Sequence, residues 1–135
     1  MKIRILPFLL AMSVSSCGVP DHRDHQSEVQ LVCFKTALRA FAEDCGRYPS
    51  SDEGLEALIR RPEAIPEIRW KGPYLDPPTG IPLDGWGHAY VYRSPGIHGT
   101  NQFEIYSGGT DGVSKSGGDD ADDIRTWSLN QRSSE

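Results

Sequence analysis

The densest chemistry in the chain lies between Gly108 and Asp123, in the segment GGTDGVSKSGGDDADD. Asp111, Asp119, Asp120, Asp122 and Asp123 stand there against a single lysine, Lys115. Like charges this close repel unless water screens them or a cation neutralises them. An oxygen-only donor set, without His or Cys, suits a hard ion. Calcium takes about six to eight oxygens in flexible geometry and accepts backbone carbonyls, which a glycine-rich loop can present. Magnesium demands near-octahedral geometry and keeps several waters, so it fits less well. The spacing is not that of an EF-hand. On residue types alone, the segment reads equally as a metal loop or as a solvated acidic loop. An enzyme is a weaker reading. It would be a metal-dependent hydrolase pairing the acidic cluster with His88 or His98. The chain has no nucleophile motif, no three-ligand zinc spacing and no phosphate loop. Each of those histidines stands beside a strand start or a turn.

A second chemical feature lies near the start. Lys2 and Arg4 precede an apolar run from Ile5 to Val14, broken by Pro7. A membrane span needs roughly 20 apolar residues, so this run reads as a secretory signal rather than a span. Val14-Ser15-Ser16-Cys17 resembles a lipobox, in which the cysteine is acylated and becomes the new first residue. The other reading is an ordinary signal beside a stray cysteine. Two or more acyl chains would anchor the chain stably, where one gives only marginal binding. Gly18 after the cysteine resembles sorting to the outer membrane, on its periplasmic face, in a Gram-negative host.

The 135 residues suit one domain, and their formal charge is −5. Removing residues 1–16 takes away Lys2 and Arg4 and no acid, which moves the charge from −5 to −7. An acidic mature chain argues against nucleic acid, whose phosphates need a basic face. No small-molecule substrate is evident.

The elements that would hold the acidic segment follow in order. Residues 1–16 read as lipoprotein signal, 17–26 as a lipid-anchored polar tether, 27–128 as the folded domain, and 129–135 as a polar tail. His22 and His25 fall in the tether, where they read as solvated residues more readily than as a metal pair. Ser27 and Gln30 fit a capping box at a helix start. Leu31, Phe34, Leu38, Phe41 and Cys45 then make one apolar helical stripe, and Gly46 suits the left-handed position past its end. Cys33 and Cys45 lie twelve residues apart in that helix, about 18 Å, beyond the roughly 7 Å reach of a disulfide. They read as separate buried thiols; pairing with another molecule or a broken helix are the other readings.

Ser50 and Glu53 form a second capping box, before a short helix carrying Leu55, Leu58 and Ile59. Residues 60–87 are rich in Pro and Gly, and Trp70, Tyr74 and Trp86 pin them to a core. Ala89–Tyr92 and Gln102–Tyr106 alternate as strands of an antiparallel pair, and Ile124–Trp127 makes a last short strand. The class is α+β. A long N-terminal helix packs on a small antiparallel sheet of about three strands, with a second short helix and long Pro/Gly-rich loops.

From Leu38 to Trp127 the chain resembles the soluble domain of the type II secretion major pseudopilins, the G component. The matching pieces are Gly46-Arg47-Tyr48-Pro49, Glu53-Gly54-Leu55 with Ala57-Leu58, and Trp70-Lys71-Gly72-Pro73-Tyr74-Leu75. Then come Asp84 with Trp86-Gly87, and Tyr90 with Tyr92-Arg93-Ser94-Pro95-Gly96. Ile105-Tyr106-Ser107, Asp111-Gly112, and Asp123-Ile124 with Trp127 complete the set. The resemblance implies a pseudopilin-like fold and calcium held in the last loop. It implies side-chain ligands at Asp111, Asp122 and Asp123, and carbonyl ligands at Gly108 and Val113. The loop looks a few residues longer than in the family, so Asp119 or Asp120 are alternative ligands. The family's basic leader, processing site and long hydrophobic helix have no counterpart beside Cys17, which implies that the chain does not polymerise by that route. The expected function is a non-enzymatic, lipid-anchored, calcium-binding module associated with type II secretion components. A structural envelope lipoprotein reusing the fold is the alternative.

Overall fold

A computed structural model describes residues 22–76, 80–98 and 102–128. Its single long helix, α1, runs His22–Cys45. The buried residues Leu31, Phe34, Leu38, Phe41 and Cys45 repeat every three or four positions and put one stripe against the sheet. Leu31, Leu38 and Phe41 have no exposed surface. The helix ends where Gly46, at φ +80°, donates its amide to the Ala42 carbonyl at 2.9 Å.

The start of α1 differs from the sequence expectation. Residues 22–26, read as tether, form its first turns, with His22 and His25 exposed. Ser27 and Gln30 are therefore not a cap. Ser27 is fully buried, and its Oγ accepts the Gly85 amide at 3.0 Å. The Gln30 side-chain oxygen accepts the Tyr90 hydroxyl. Tertiary partners have taken both side chains, so the helix begins a turn earlier. Gly85 must be glycine for this approach: a Cβ there would sit 2.6 Å from the Arg23 Cα.

Three strands form one antiparallel sheet in the order β1-β2-β3: β1 is Val91–Arg93, β2 is Glu104–Ser107 and β3 is Ile124–Arg125. Tyr92 faces Ile105 across β1 and β2, and Ser107 faces Ile124 across β2 and β3. β2 is buried at all four positions, as the middle strand beneath a helix should be. Phe34 meets Tyr90 edge-on at 5.1 Å, and Phe41 meets Tyr74 at 5.6 Å.

The second helix is a single 3₁₀ turn, Leu55–Leu58. Ser50 and Glu53 do exchange reciprocal bonds, at 3.0 and 3.2 Å, but they close the turn ahead of it; Gly54 is the residue at its start. The Pro-rich segment is pinned as its aromatics suggested. Trp70 Nε1 donates to the Ala57 carbonyl at 3.1 Å, and the Tyr74 hydroxyl to Asp44 at 2.9 Å. The cysteine reading needs correction at one position. Both thiols are free, but only Cys45 is buried; Cys33 is exposed. Among the described residues, no helix is long and apolar enough to cross a membrane.

Candidate functional site

β2 ends at Ser107, and the chain turns at once into a 3₁₀ segment, Gly109–Asp111. Gly109 and Gly112 have φ of +61° and +70°, conformations that L side chains rarely adopt. A Cβ on Gly109 would collide with the Asp122 carbonyl, and one on Gly108 would sit 2.8 Å from the Val113 amide. The two ends of the acidic loop therefore lie backbone to backbone. Gly108, Asp111, Val113, Asp122 and Asp123 are brought into one neighbourhood by glycines that let the strands close.

Within it the carboxylates differ. Asp111 is exposed, and its Oδ1 accepts the Val113 amide at 2.9 Å. Asp122 is exposed and accepts the Thr110 hydroxyl at 3.0 Å. Asp123 is buried, at 5 % exposure. Its Oδ2 accepts Ser114 Oγ at 2.6 Å and the Asp120 amide at 2.8 Å. Its Oδ1 is buried with no hydrogen-bond partner. A buried oxygen left without a donor costs about 1–3 kcal/mol, and more when charged. An all-oxygen neighbourhood with one such orphan fits a hard cation. The three acids are not drawn into a tight cluster: among the described residues, no three His, Cys, Asp or Glu side chains are gathered as metal ligands.

The alternative ligands are engaged elsewhere. Asp119 takes His98 Nε2 at 2.7 Å, Arg125 at 2.9 Å and Trp127 Nε1 at 3.3 Å. Burial works against its charge, but the bonds from His98 and Trp127 hold its carboxyl below the usual carboxylate range. Asp120 accepts the Lys115 amide at 2.8 Å and the Ser116 amide at 3.3 Å, and hydrogen bonds from Ser116 and Lys115 hold its carboxyl low. Both shape the loop that Asp123 closes. Cys17 lies outside the described residues.

Sequence reasoning missed several groups that support this loop. Ser114 links Asp123 to the Gly118 amide, at 2.6 Å on each side. Arg93 on β1 grips the Gly117 carbonyl at 2.7 Å and the fully buried Glu104 at 3.1 Å. His98 stacks on Trp127 at 4.3 Å and reaches Glu104 at 3.0 Å. The bond to Glu104, then that to Asp119, raises the His98 pKa. Arg93, Glu104 and His98 are separated by five to eleven residues, without a motif, so only the hairpin reveals them.

A family model described as type II secretion system (T2SS), protein G, matches residues 19–127. The chain belongs to the type II secretion system protein G family. The core protein G of Klebsiella michiganensis is 39% identical over 118 residues, covering 85% of this chain and 77% of that one. The core protein G of Pseudomonas aeruginosa is 43% identical over 100 residues, covering 72% of this chain and 66% of its own. Among solved structures, the major pseudopilin of enterohaemorrhagic Escherichia coli superimposes with a TM-score of 0.63 at 30% identity. That match covers 84% of this chain and 99% of the pseudopilin. This protein G member is thus a pseudopilin of the secretion machinery, with the helix-on-sheet fold of that group.

Proposed function

We propose that this protein G member is a non-enzymatic, lipid-anchored module of the type II secretion apparatus whose last loop binds calcium. The observation that supports calcium is the buried, unpartnered Oδ1 of Asp123 in an all-oxygen loop. Asp123, Asp122 and Asp111, with the carbonyls of Gly108 and Val113, would hold the ion. The ion would supply positive charge to three carboxylates and fix the turn after β2. The residues themselves close the loop, exclude water from Asp123 and aim the carbonyls. Cys17 would carry the lipid and hold the domain at the periplasmic face of the outer membrane, where it would meet other secretion components. The lipobox-like Val14-Ser15-Ser16-Cys17 supports that reading.

Two measurements test it. Thermal melting with calcium and with a chelator should differ, and Asp123→Asn should remove the difference; identical curves for the parent protein defeat the calcium reading. Radiolabelled palmitate fed to the producing cells should enter the parent chain and not Cys17→Ser; an unlabelled parent defeats the anchor.

A further inference from the structure

The turn at residues 84–88 is built around a carboxylate that the metal loop does not contain. The Asp84 side chain has no exposed surface. Its Oδ1 accepts the Trp86 amide at 3.0 Å and the His88 amide at 2.8 Å. The Asp84 amide in turn donates to the His88 carbonyl at 2.8 Å, so the turn is closed on itself. That leaves Oδ2 to reach outward, and it takes the Ser107 hydroxyl at 2.5 Å. Ser107 is fully buried, the last residue of β2, and its Oγ accepts the Gly109 amide at 3.2 Å. A chain of bonds therefore runs from Asp84 through Ser107 to the first residue of the turn that presents Asp111. A second contact parallels it: the His88 ring packs so closely on Gly112 that a Cβ there would lie 2.8 Å from the ring.

From this we infer that Asp84 is a positioning residue for the calcium loop, acting through Ser107 on Gly109 and through His88 on Gly112. It rests on the calcium reading above. The carboxylate fixes the direction of the Ser107 hydroxyl. With its proton committed to Asp84, Ser107 Oγ presents lone pairs to Gly109, which sets the Gly108 carbonyl and the Asp111 side chain on either side of that amide. Bonds to a buried carboxylate are charge-assisted and stronger than neutral ones. Partners one step behind metal ligands typically change affinity by about 10–100-fold when removed.

The experiment compares the parent chain with Asp84→Asn and with Ser107→Ala. Calorimetric titration with calcium chloride gives the affinity, and hydrogen exchange in chelator gives the protection of the Gly109 and Asp111 amides. Both variants should bind calcium about tenfold more weakly and exchange those two amides faster without the ion. Ser107→Ala keeps both Asp84 bonds within its own turn, so it answers the question if Asp84→Asn does not fold. Variants that lower the melting temperature equally in calcium and chelator, with unchanged affinity and unchanged Gly109 exchange, overturn the inference. A parent chain that ignores calcium overturns the calcium reading. In that case Gly109 exchange alone decides the coupling: faster in Ser107→Ala supports it, unchanged overturns it.

Discussion

At the scale of single residues, Asp123 is set apart by its surroundings rather than its type. It shares a sequence run with Asp119, Asp120 and Asp122, yet it alone of the four is buried. Asp123→Asn would remove the charge and keep the shape. It should relieve repulsion in the loop without an ion and lose the gain from calcium. Melting in chelator should therefore show a variant at least as stable as the parent, and melting in calcium a less stable one. The two thiols make a simpler case. Burial pushes the Cys45 thiol up, while Cys33 faces solvent on α1. Reactive cysteines are exposed and thiolate-forming, and buried ones are inert. In a Cys17→Ser chain, a maleimide should label one cysteine in the folded state and both in denaturant, with mass spectrometry placing the native label on Cys33. Native labelling at Cys45 would refute the packing of the helix end.

At the scale of elements, the β1–β2 hairpin and the acidic loop are joined by His98, which bonds Glu104 on one side and Asp119 on the other. Its folded pKa is raised above 6.5, so the charged form favours the folded state. That stabilisation is fully present below the unfolded value and fades as pH rises through the folded one. Asp119 has the opposite sign: its lowered pKa gives stability above about 3.8 that is lost as pH falls. The latch should thus be strongest between the two, near pH 4–6.5. Hydrogen exchange corrected for intrinsic rates should show the loop amides around Gly117 and Gly118 least protected at high pH, and His98→Gln should flatten that dependence. Much of the element layout was legible beforehand. The apolar stripe of α1 and the glycine after it sit where their local signals placed them. The alternation located both hairpin strands, though β1 and β2 begin two residues later than the alternating runs and end one later, at Val91–Arg93 and Glu104–Ser107. The start of α1 was not legible, because Ser27 and Gln30 read as a cap until Gly85 and Tyr90 come near. The loop's ligand candidates were legible from their acids. Asp119 is diverted by His98, 21 residues away, and by Trp127, eight away, while Asp120 is taken by the Lys115 amide five residues before it; none of these separations is a recognised motif, so no spacing announces the arrangement.

At the scale of the whole molecule, the question is how far a loop ion would be felt. The acidic loop leads straight into β3, β3 pairs with the wholly buried β2, and α1 packs against both. Nothing between the loop and the core resembles a hinge: Ile124 on β3 is itself a core residue, one position after Asp123. A single domain of this size usually unfolds as one unit. An ion bound only by the folded form then stabilises every residue alike. At 100 times the dissociation constant the gain is about 2.7 kcal/mol, which for a domain of roughly 100 residues moves the melting temperature by roughly 10–20 °C. The amides of Leu38 and Phe41, deep in α1, exchange only on global opening if the domain is cooperative. Calcium should slow them by about a hundredfold under conditions where exchange follows the opening equilibrium, the same factor by which the ion favours the folded state. Slowing confined to residues 108–123, with Leu38 and Phe41 unmoved, would mean that the loop folds on its own and that the ion orders a surface without stabilising the body beneath it.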